Sequence, residues 1–171
     1  MFITVHAAAS VIVGEEITYP PLAFIISFLF HFVLDIIPHG DQQLAKKFLG
    51  LNLSKFKEKG YIKTLALYGS LDACFLAFFL IFLFKNFQFP NRDSVVWAII
   101  GGILPDILVA LHKLTNSRLL SWFNKLHFKV HHLAIDRLGG DIPIKYGLVV
   151  EAVMLAIIIA ILIIFSCLFI F

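Results

Sequence analysis

Four acidic residues lie inside stretches that are otherwise too apolar to face water, and this conflict constrains the fold more than any other feature of the chain. The apolar stretches run over residues 21–37, 62–84, 95–111 and 144–171, and they contain Asp35, Asp72, Asp106 and Glu151 with no Lys or Arg except at their ends. A charged carboxylate at the centre of a bilayer costs about 2.5–3.5 kcal/mol. Four such groups without basic partners require protonation, a helix-helix contact or a bound cation.

The stretches themselves point to membrane helices. With 60% hydrophobic residues and 19 Phe in 171 residues, water cannot be the solvent for most of the surface. A shorter apolar helix over 2–13 ends before Glu15, Glu16 and the Tyr19-Pro20-Pro21 turn, and can span only by packing against its neighbours. Two amphipathic stretches, 42–59 and 117–135, mix apolar residues with Lys or Arg and suit the membrane interface; the first is interrupted near Gly50 and Asn52. The expected fold is a single all-α domain over 1–171: a polytopic membrane helical bundle with about five membrane-associated helices plus interfacial amphipathic helices.

Lys and Arg collect in the connections 41–61 and 113–145. The positive-inside rule places both in the cytoplasm, the 85–93 loop outside, the amino terminus inside and the carboxy terminus outside. The expected location is the inner, cytoplasmic membrane, with lipid as the surrounding partner and no nucleic-acid partner. The first apolar stretch has no basic region before it and contains His6, so it does not read as a removable signal peptide. Cys74 and Cys167 have no C-x-x-C spacing and read as packing residues.

In this topology His6, His31, Asp35, Asp72, Asp106 and Glu151 fall near or on the cytoplasmic side of the midplane, and His39, His127, His131 and His132 at that boundary. Imidazole and carboxylate together are ligands for zinc and similar ions. His31 and Asp35 are four residues apart and share a helix face, as do His127 and His131. His39 follows after Pro38. His132 points about 100° away from His131, and His112 reads as a helix-end residue. The candidate metal ligands are therefore His6, His31, Asp35, His39, Asp106, His127 and His131. Asp72 is the candidate catalytic acid or base, Asp41 a helix cap, and Glu151 either a ligand or a helix contact. A hydrogen-bonded His31–Asp35 pair pinning two helices is the competing explanation.

The string H-F-V-L-D-I-I-P-H-G-D over 31–41 resembles the His-x-x-x-Asp helix of the zinc-dependent phospholipase C and nuclease superfamily. His6, the G-G-I-L-P-D run ending at Asp106 and the His131-His132 pair further resemble the membrane-bound metal-dependent hydrolases called YdjM-like. The resemblance implies metal-ligand roles for His31 and Asp35, and for His6, His39, Asp106 and His131. His39 follows Asp35 more closely than in the soluble enzymes, and no amino-terminal Trp or second His-x-x-x-Glu helix is present, so one or two metals are expected rather than three. The implied activity is metal-dependent hydrolysis of a phosphoester or lipid-like substrate, with zinc the expected ion. A small metal-ion or proton transporter and a non-catalytic scaffold with a structural metal are the alternatives.

Overall fold

The computed structural model describes residues 1–40, 59–137 and 139–168, with backbone alone at 59–66, 68, 134, 144 and 165–168. Asp41 and nearly all of the expected 42–59 amphipathic stretch lie outside the described residues. Six helices make up the described chain: α1 (Ile3–Glu16), α2 (Pro20–Leu34), α3 (Lys59–Asn86), α4 (Arg92–Thr115), α5 (Arg118–Arg137) and α6 (Ile144–Leu168). Three of them contain segments long and apolar enough to cross a membrane: Gly69–Asn86, Arg92–Thr115 and Lys145–Ile164.

The two amino-terminal helices are shorter. With 14 and 15 residues, α1 and α2 are about 21 and 22 Å long, against a bilayer core of roughly 30 Å. α1 runs beyond the expected end near Val13 as far as Glu16, and it is the centre of the molecule. Thr4 to Val11 and Gly14 are all buried, as expected for a helix without a polar face. α1 packs against α2, α3, α4 and α6. Val5, Ala7, Ala8, Ala9 and Val11 form a core with Leu34, Phe79, Leu83, Val95, Ile99, Ile158 and Leu162.

Small residues allow the close approach. A Cβ at Gly101 would overlap the Phe24 backbone of α2, and one at Gly102 would overlap the Ser10 side chain of α1. The outer faces are apolar instead of charged: Phe75 is 68% exposed, Phe78 74% and Ile157 54%. Exposed apolar surface on this scale has no place in water.

α2 ends at Leu34, three residues before the expected Ile37: Ile36 and Ile37 bond three residues back, to Val33 and Leu34, and Pro38 has no N–H to offer the Leu34 carbonyl. Asp35 becomes the C-cap and still faces His31. α4 continues through Pro105 and ends where Asn116 adopts a left-handed conformation, φ 52°. That turn folds α5 back along α4 and α2. α5 buries Phe123, His127, His131 and Ile135, spaced four apart, while Leu119 and Trp122 are 82% and 66% exposed.

Candidate metal centre

The polar side chains meet where the C-terminal end of α2, the second half of α4, the middle of α5 and the first turns of α1 come together. His31 Nε2 lies 3.1 Å from Asp35 Oδ2 and 3.7 Å from Asp106 Oδ1. His127 Nε2 approaches the same two oxygens, at 3.3 and 3.8 Å. Two imidazoles and two carboxylates from three elements thus converge on a common point, and this group could hold a metal ion.

The tautomer of His31 makes the convergence chemically specific. Its Nδ1 lies 2.7 Å from the Gly102 carbonyl oxygen, which can only accept, so Nδ1 carries a proton, and in the neutral ring Nε2 carries the lone pair. Gly102 has no side chain to stand between its own carbonyl and the ring, and Pro105 leaves the neighbouring Gly101 carbonyl without its helical donor. The His31 Nε2 lone pair is buried and has no aligned hydrogen-bond partner despite its closeness to Asp35. Acceptors facing one another at 3.1–3.8 Å are held together by a proton or a cation.

The spacing suits a cation. A tetrahedral site with ligand distances of about 2.0–2.2 Å has ligand-to-ligand edges of about 3.4 Å. Two carboxylates also match the charge of a divalent ion. Burial holds the His127 imidazole down to about 4, outweighing the pull of Asp35, so that ring is a neutral donor at ordinary pH.

Asp35, His39 and His131 form a second group that could hold a metal. His39 Nδ1 donates to the Ile37 carbonyl at 2.7 Å, leaving its Nε2 lone pair 3.1 Å from His131 Nε2. The Met1 nitrogen contacts His39 Nε2 and lies 3.7 Å from Asp35 Oδ1. Asp35 belongs to both groups, so its two oxygens can serve neighbouring positions.

His6 stands beside these groups. Its Nε2 donates to Asp35 Oδ1 at 3.1 Å, and its ring stacks on His31 with centroids 3.8 Å apart. This orients Asp35 and covers His31. His132 turns outward, its Nδ1 donating to the Phe128 carbonyl, and His112 donates to the Ser117 carbonyl across the α4–α5 turn.

Asp72 and Glu151 belong to neither group. Asp72 Oδ2 accepts the Ile3 N–H at 2.8 Å and its Oδ1 the Thr4 hydroxyl at 3.2 Å. Glu151 Oε1 accepts the Phe2 N–H at 3.0 Å. The four embedded acids therefore divide: Asp35 and Asp106 meet histidines, whereas Asp72 and Glu151 meet the positive end of α1. That pair could not be assigned from sequence, because nothing local shows that a neighbouring helix begins there.

The Gly102 and Ile37 carbonyls were likewise invisible as determinants of the histidine tautomers. So was the support behind His39, where Asp141 Oδ1 accepts the Gly40 N–H at 3.1 Å and the Gly147 backbone sits against the His39 carbonyl. No family model, curated protein or solved structure matches this chain.

Proposed function

We propose that the protein is an integral-membrane, metal-dependent hydrolase acting on a phosphoester or lipid-like substrate, with its centre toward the cytoplasmic face of the inner membrane. The observation that carries this reading is the setting of His31: the Gly102 carbonyl holds its Nδ1, and its Nε2 faces two carboxylates and a second imidazole. His31, Asp35, Asp106 and His127 would hold one divalent ion, zinc by ligand type, and Asp35, His39 and His131 a second. Such ions lower the pKa of bound water and polarise the scissile group.

The residues divide the remaining work. Asp106, with a side-chain exposure of 21% against 2% for Asp35, is the member open to water and substrate. The exposure belongs to the rest of its side chain, because its Oδ2 is buried 3.9 Å from His6 Nε2. Asp72, with both oxygens engaged by α1, serves better as an anchor than as a base. The phosphoester assignment rests on the resemblance to YdjM-like hydrolases and to the phospholipase C superfamily.

A non-catalytic scaffold is favoured by one observation: four protein ligands in the first group would fill a tetrahedral sphere. Zinc-loaded protein in detergent, offered phosphomonoester, phosphodiester and phospholipid substrates, separates the two. Hydrolysis abolished in Asp106→Asn supports the enzyme; stoichiometric zinc with no turnover of any class supports the scaffold.

A further inference from the structure

The first turn of α1 is capped by other helices and not by its own sequence. Phe2, the N-cap residue, offers no side-chain hydrogen bond, and the turn contains no acid. A local Ser, Thr or Asp at this position would provide a cap at about 1 kcal/mol. Instead the donors go to Glu151 of α6 and Asp72 of α3, two carboxylates that are costly to place in apolar helices. Among the described residues the backbones of α3 and α6 come close to α1 and to no other helix, so these bonds tie both outer helices to the same turn.

The other side of that turn faces Asp35. Met1 contacts His39 and approaches Asp35 Oδ1, and His6, one turn further on, donates to the same oxygen and stacks on His31. A shift at residues 1–2 would therefore act on the Asp35–His39–His131 group directly through Met1, and on the group around His127 one turn later, through the contacts of His6 with His31, Asp35 and Asp106. We propose that Asp72 and Glu151 are positioning residues: they hold residues 1–6 so that Asp35 presents Oδ1 toward His39 and His131 and Oδ2 toward His31 and His127.

This inference rests on the two-cation reading above, and cobalt titration of the full chain in detergent separates the two. Wild-type protein is expected to take up two equivalents of cobalt. Asp72→Ala and Glu151→Ala are expected to weaken the second equivalent by about 10–100-fold, the range for residues that support metal ligands, and to weaken the first, reached only through His6, by a clearly smaller factor. Asp72→Asn, which keeps acceptor oxygen for the Ile3 N–H, is expected to restore most of the loss. A loss of thermal stability alone would not produce this selective pattern.

Thr4→Val removes one of the Asp72 contacts without altering a charge and is the variant to use if the alanine proteins do not fold. Its second equivalent is expected to be several-fold weaker. Wild-type binding of both equivalents by the folded variants overturns the positioning role and leaves the metal centre standing. Equal weakening of both equivalents also overturns it. No cobalt uptake by the wild type overturns both.

Discussion

Gly102→Ala tests how closely the metal centre depends on helix approach. An alanine Cβ there overlaps Ser10 Oγ and would stand 3.1 Å from Ser10 Cβ and 3.3 Å from the His6 carbonyl oxygen. Ser10 can rotate, forfeiting its 2.8 Å hydrogen bond to that carbonyl, at about 1 kcal/mol. The two remaining contacts are too tight for a rigid helix pair, and overpacking of this kind costs about 1–3 kcal/mol. Alanine's better helix propensity returns up to about 1 kcal/mol.

The net expectation is a loss of about 1–3 kcal/mol in metal-free protein. Metal affinity should suffer as well, because the Gly102 carbonyl orients His31 and the displaced His6 covers it; a 10–100-fold loss is expected. Competition for zinc against a chromophoric chelator, with parallel thermal unfolding, measures both quantities. Ser10→Gly in the same chain vacates the overlapping volume and should recover much of each loss. Unchanged zinc affinity in folded Gly102→Ala protein would refute the proposed link between the α1–α4 approach and the His31 geometry.

Gly147→Ala drives a methyl group into the His39 carbonyl; the second cobalt equivalent should weaken by about 10-fold or more while the first is retained, and loss of the first alone would contradict the assignment of His39. His132→Ala should leave uptake of both metals unchanged, since that ring is turned away onto Phe128, whereas His131→Ala should abolish the second; elemental analysis of the two variants decides. Metal-free protein should lose stability as the pH falls from about 6.5 toward 4. In the folded chain burial holds His127 near 4, so across that window the unfolded chain binds the extra proton. Thermal unfolding near pH 7 and near pH 5 measures the change, which should shrink in His127→Gln; an identical change in that variant would exclude His127 as its source.

Helix periodicity made part of this site legible in the sequence. His31 with Asp35 and His127 with His131 share faces because residues four apart in a helix must do so, and the structure brings each pair into the groups described above. The outward turn of His132 followed from the same geometry. The resemblance of the G-G-I-L-P-D run marked Asp106 as a ligand, whereas Asp72 was read as a candidate acid or base, and only tertiary packing sends it to the first turn of α1. The extension of α1 to Glu16 was hidden because Gly14 reads as a helix breaker, whereas in the fold it is where the backbone of α4 packs against α1. Pro38 signalled the end of α2, but not that the following turn would bring His39 to His131.

The central claim is that His31, Asp35, Asp106 and His127 together hold a divalent cation. X-ray absorption at the zinc edge of zinc-loaded protein tests it most directly. The expected spectrum shows a nitrogen and oxygen shell at about 2.0–2.2 Å with imidazole scattering and no sulfur, and that signal should be lost or rearranged in His31→Ala and Asp106→Ala. Zinc present at less than one equivalent, or a spectrum unchanged in both variants, would contradict the claim.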